Sequence, residues 1–170
     1  MSLDLLFKMN LREKEMIDIL KKGKDEFGVV ATKAEFEAEG TRLDEMLKLI
    51  DISHIAGVDV TLKIGGCEAL RDLIEARQYG VKYIVAPMVE TAYALGKYII
   101  AKDKVFQNEQ DSYTVFLFNL ETITAFNNIE DMVKVASKNN SLDGMVFGRV
   151  DFSTSLGLGR ENIENKIITD

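Results

Sequence analysis

Two carboxylates and one amine stand at positions in this chain where chemistry would need them. Glu121 ends the apolar run VFLFNLE, Asp151 ends GMVFGRVD, and Lys63 sits near the end of VTLKIGG. Thr122 can serve as the N-cap of whatever helix follows Glu121, and Ser153, Thr154 or Ser155 can do the same after Asp151. Neither carboxylate is then needed as a cap, and Glu121 falls in phase with Asn119 and Leu117 on one strand face. Two free carboxylates completed by water are ordinary ligation for Mg²⁺ or Mn²⁺. Lys63 either snorkels to the rim of the fold or reaches a substrate anion, and partial burial would also suit it to imine formation. Gly65 and Gly66 lead into a helix expected to begin near Cys67, where free backbone N–H groups suit a carboxylate or a phosphate.

Five runs rich in Val, Ile, Phe and Tyr would position these groups: 28–36, 58–64, 83–89, 113–121 and 144–151. They read as strands of nearly continuous apolar character, the mark of a parallel sheet buried on both faces with helices covering both. Segments of helical period lie between them at 42–55, 68–79, 92–102 and 129–138, and another at 11–21 precedes the first strand. Gly57 and Gly80 fall where helices need a left-handed cap, and Gly28 does so less clearly. Strand starts are 30, 25, 30 and 31 residues apart, the length of one βα unit.

One domain over 1–170 is expected, because Pro87 is the only proline and no linker divides the chain. Two architectures fit: an open doubly wound sheet, which can stop at five strands, or part of a (β/α)₈ barrel, which needs about 230 residues when complete. The segment 163–170 carries only an incomplete helical pattern, so the chain reads as a barrel fragment of about five units. In both architectures ligands bind at the C-terminal ends of the strands. There Lys33, Glu35, Glu37, Lys63, Glu90, Asn119, Glu121, Arg149 and Asp151 gather.

Composition excludes several alternatives. With 28 acidic and 21 basic residues the net charge is −7, opposite to what nucleic acid or an anionic membrane would select. No apolar run is long enough to span a bilayer and the first residues do not read as a secretory signal, so a cytoplasmic setting is expected. Cys67 is the only cysteine, which rules out an intrachain disulfide, and it has no recognisable catalytic partner. His54, the only histidine, complements a helix C-terminus, so a histidine triad or a His-rich zinc site is not expected. Gly157-Leu158-Gly159 lacks the placement of a dinucleotide fingerprint and reads as a loop. Phe116, Phe118, Phe147 and Phe152 read as core.

Three motifs in order, PMVETA at 87–92, LETITAFNNIED at 120–131 and DG…GRVDFS…SLG over 143–157, resemble the HpcH/HpaI aldolase and citrate lyase family. The resemblance runs from about Gly28 to Gly157. It implies a (β/α)₈ barrel of the pyruvate/phosphoenolpyruvate-binding type, a Mg²⁺ or Mn²⁺ ion on Glu121 and Asp151, and carbon–carbon bond chemistry on a 2-oxo acid or related carboxylate through a metal-stabilised enolate. A homo-oligomer is also implied. Relatives usually carry Arg where this chain has Lys63, so a point charge replaces a fork. They also carry an acidic residue followed by His or Asp near the first strand, where this chain has Glu37 followed by Ala38; Glu35 or Glu37 could substitute as acid or base. Three readings remain open: a metal-dependent lyase, a non-catalytic binding module that kept the metal pair, and a Schiff-base lyase using Lys63.

Overall fold

A computed structural model describes residues 9–107, 113–138 and 141–169. Five parallel strands, β1 (Ala31–Glu35), β2 (Asp59–Lys63), β3 (Tyr83–Ala86), β4 (Val115–Leu120) and β5 (Gly144–Phe147), form one sheet in the order β1-β2-β3-β4-β5. Helix α1 (Leu11–Phe27) precedes β1, and α2 (Leu43–Ala56), α3 (Leu70–Gln78) and α4 (Ala92–Val105) connect the first four strands. The short α5 (Ile123–Asn127) and α6 (Ile129–Ala136) lead to β5, and α7 (Arg149–Ser155) and α8 (Lys166–Thr169) follow it.

Each crossover steps to the next strand in the same direction. Right-handed connections of that kind place the crossover helices on one face of the five-stranded sheet, as in a barrel. The expectation of helices on both faces therefore fails. Alternate strand residues Ala34, Val60, Leu62, Ile84, Ala86, Phe116 and Phe118 join Met46, Leu73, Leu95, Tyr98 and Met132 of the helices in the main core. The residues between them point to the other face, so β2 alternates between half-buried and buried along its length. A run such as VDVTLKI is thus a two-faced strand in which Asp59, Thr61 and Lys63 share the inner side.

Glycines at positive φ follow α1, α2 and α3 at Gly28, Gly57 and Gly80, as expected. Gly28 is a full cap, so α1 runs six residues past its expected end and β1 begins only at Ala31. Asn10 and Glu13 form a reciprocal capping box at the other end of α1. A second apolar cluster of Ile17, Ile52, Ala56 and Val58 ties α1 to α2 and to the start of β2. Two further expectations give way. Cys67 lies in a turn before α3, and β5 stops at Phe147 because Gly148 starts a helix that carries Arg149 and Asp151. Phe116, Phe118 and Phe152 are core residues, whereas Phe147 is largely exposed. No helix among the described residues is long and apolar enough to cross a membrane.

Candidate functional site

At the C-terminal edge of the sheet a cleft of about 580 Å³ draws on the end of every strand. Glu35, Glu37 and Ala38 come from β1 and its loop, Lys63, Ile64 and Gly65 from β2 and its loop, and Pro87 and Met88 follow β3. Glu121 follows β4, and Asp151 comes from the first turn of α7. All five sequence-derived candidates, Lys63, Glu35, Glu37, Glu121 and Asp151, line this one cleft.

One wall is cationic. Parallel register sets Glu35 beside Lys63, so the two side chains leave the inner face together. Lys63 Nζ lies 3.4 Å from Glu35 Oε2, and Lys33, two residues before Glu35 and on the same face, donates a hydrogen bond to Glu35 Oε1. Burial alone pushes the Glu35 carboxyl up, but the hydrogen bond and charge of Lys33, joined by Lys63, outweigh it and hold the group below the usual carboxylate range. Glu35 is therefore an occupied anion and a poor proton acceptor.

The opposite wall is built around Glu121, which is 2% exposed. Its Oε1 accepts the Met88 N–H at 2.8 Å and its Oε2 accepts the Asn119 side-chain amide at 2.8 Å. Both donors are neutral, so the buried carboxylate has no counter-charge among the described residues. The Met88 donor depends on an unusual backbone: φ is +52°, the one positive value outside glycine among the described residues. Gly148, whose N–H donates to the Leu120 carbonyl, lies directly against Glu121. A Cβ at that position would sit 2.8 Å from Glu121 Cβ and 3.1 Å from its Oε2. Thr122 caps α5 through the Ala125 N–H, as expected, and its hydroxyl donates to Glu90 Oε1. Glu90 thereby joins two loops and takes no place in the cleft.

Asp151 forms no hydrogen bond or ion pair among the described residues. The three hydroxyls after it are not its helix's caps. Ser153 donates to the Gly159 carbonyl, Thr154 to Val150, and Ser155 to Phe152 while accepting the Ile123 N–H. Arg149 pairs with Glu164 and lies away from the cleft lining.

Near the mouth, Glu37 packs over Gly65, where a Cβ would meet Glu37 Cγ at 2.7 Å. The Gly65 N–H donates to Asp72 Oδ2 at 2.7 Å, so it is not free for a ligand. Burial, opposed in part by that hydrogen bond, and then the neighbouring Glu37 charge raise the Asp72 carboxyl. Burial likewise pushes the Cys67 thiol up, which disfavours its thiolate.

Two carboxylates with open coordination positions suit a hard divalent cation whose other ligands are water and substrate oxygens. No group of three or more His, Cys, Asp or Glu among the described residues is arranged to hold a metal by itself. Glu121 nonetheless fits such an ion, being a buried carboxylate oriented only by neutral donors. Sequence reasoning placed Lys33 at the rim without giving it a role, and it missed Met88, Asp72 and Gly148 as parts of the site's support. The positive φ of Met88 and the contacts of Gly148 and Asp72 leave no mark in residue type or spacing.

Comparison with known proteins bears on the family and the fold. The HpcH/HpaI aldolase/citrate lyase family profile matches residues 31–169. Among solved structures, citrate synthase SbnG superposes with a TM-score of 0.70 at 18% identity, covering 92% of this chain and 64% of its own. An HpcH/HpaI aldolase from Desulfitobacterium hafniense gives 0.71 at 18% identity, covering 90% and 65%. An HpcH/HpaI aldolase/citrate lyase family protein from Burkholderia cenocepacia gives 0.70 at 11% identity, covering 92% and 67%. The chain thus spans just under two thirds of the length of the first two. No curated protein sequence matches it.

Proposed function

The chain belongs to the HpcH/HpaI aldolase/citrate lyase family, and from that membership we propose that its cleft serves a carbon–carbon lyase acting on a 2-oxo acid with a divalent cation. The observation that carries the reading is the division of the cleft: a cationic wall at Lys63 faces a buried, cation-free Glu121, and Asp151 completes the lining. Glu121 and Asp151 would hold Mg²⁺ or Mn²⁺, which supplies Lewis acidity toward the carboxylate and keto oxygens of the ligand. Met88 N–H and Asn119 fix the Glu121 carboxylate, in the way that outer hydrogen bonds orient ligating groups.

In cleavage of a 4-hydroxy-2-oxo acid, the hydroxyl proton leaves and the C3–C4 bond breaks. Its electron pair moves toward the keto oxygen, and C3 is later protonated. Lys63 neutralises the negative charge that develops on the ligand. Between the two candidate bases, Glu37 is favoured: its carboxylate makes no ion pair among the described residues, whereas Glu35 already holds two ammonium groups. The pairing of Lys63 with Glu35 also favours anion binding over imine formation.

A second reading, a binding module without turnover, is favoured by Ala38, which presents no titratable atom to the cleft. Pyruvate release from oxaloacetate or a 4-hydroxy-2-oxo acid in the presence of Mn²⁺ separates the two. The lyase reading expects release that EDTA abolishes and that Lys63→Met slows at least about a hundredfold. Intact Mn²⁺ and oxalate binding with no release selects the module.

A further inference from the structure

We propose that Lys33 is a positioning residue that compensates Glu35, so that Lys63 can leave that carboxylate and engage the ligand's anionic group. This rests on the 2-oxo acid reading of the cleft. Glu35 is 6% exposed and is shared by two ammonium groups that approach from different directions. Lys33 reaches it along β1, from outside the cleft lining, while Lys63 reaches it from β2 and lines the cleft itself. Lys33 donates a hydrogen bond to Oε1, and Lys63 stands 3.4 Å from Oε2, at the loose end of hydrogen-bonding distance.

A buried carboxylate stripped of its only cation is costly, so a single lysine in this position would stay on Glu35. With Lys33 present, Glu35 remains neutralised when Lys63 turns away. The three side chains carry a net charge of +1, and a ligand carboxylate or a developing oxyanion takes up that remainder. Lys63 contacts the ligand, and Lys33 holds the carboxylate that aims it. Lys33 is itself half-exposed, so replacing it removes a charge without opening the core.

Oxalate binding in the presence of saturating Mn²⁺, measured calorimetrically, tests the division of labour. Lys33→Met is expected to weaken oxalate about tenfold while leaving Mn²⁺ affinity unchanged. Adding Glu35→Gln removes the trap, and the double variant K33M/E35Q is expected to recover oxalate affinity to within about threefold of the parent. Unchanged oxalate affinity in K33M, or no recovery in the double variant, overturns the proposal. If the parent chain binds no oxalate at all, the functional reading fails instead. The lysine array is then judged from ¹⁵N-lysine spectra, where K33M should slow proton exchange of the Lys63 ammonium as it locks onto Glu35. Unchanged exchange overturns the proposal on that route.

Discussion

Glu35 and Glu121 are both buried carboxylates on the same edge of the same sheet, yet their surroundings differ in kind. Glu35 has two ammonium partners and is held ionised by them. Glu121 is more deeply buried and has only a backbone N–H and a side-chain amide. A carboxylate with its cations already in place contributes to stability and to the local field. One oriented by neutral donors alone has no cation of its own among the described residues and leaves that place open. Burial by itself does not distinguish the two carboxylates; the identity of their hydrogen-bond donors does.

The largest expected way to break this contrast is at Gly148. Gly148→Ala forces a Cβ to 2.8 Å from Glu121 Cβ and displaces the carboxylate. Mn²⁺ affinity should fall by about a hundredfold, and overpacking should cost about 1–3 kcal/mol in a denaturant titration. Met88→Gly sharpens the same wall from the other side, because glycine adopts the positive φ without strain and keeps the N–H donor. It should leave Mn²⁺ affinity within about threefold of the parent while removing a half-exposed apolar side chain from the cleft.

A smaller effect distinguishes Glu35 from Asp72 by the sign of their pH dependence. The folded-state pKa of Glu35 is lowered, so its contribution to stability is present above the unfolded-state value and is lost as pH falls through the folded one. Asp72 is raised, so its contribution is present at low pH and is lost as pH rises through its folded pKa. Urea titrations across the acid range should therefore show Glu35→Gln flattening the acid loss of stability. Asp72→Asn should make the chain relatively more stable at neutral pH than at acid pH. The smallest expected change is Thr122→Ala, which removes the α5 cap at a cost of about 1 kcal/mol and leaves both walls in place.

Much of this was legible in the chain itself. Thr122 was identifiable as a cap, and that left Glu121 free to face inward with Asn119. Period-two placement put Lys63 and Glu35 at the ends of their strands, where parallel register brings them together. Three features were not legible, each for a physical reason. GMVFGRVD has strand-like residues throughout, yet the strand stops at Phe147 and a helix begins after Gly148, which packs directly against Glu121. Helices fall on one face because of strand order, which is a property of pairing and not of any single run. The free N–H groups expected at Gly65-Gly66 are reduced by Asp72, seven residues along the chain, which takes the Gly65 donor.

The proposed function makes Glu121 a ligand of a divalent cation whose remaining positions a 2-oxo acid would fill. Calorimetric titration of Mn²⁺ into the chain, with and without oxalate, tests this directly when repeated on Glu121→Gln, an isostere that preserves shape and removes charge. Mn²⁺ binding that oxalate tightens is expected in the parent, and its disappearance is expected in the folded variant. Mn²⁺ binding of equal strength in Glu121→Gln would contradict it.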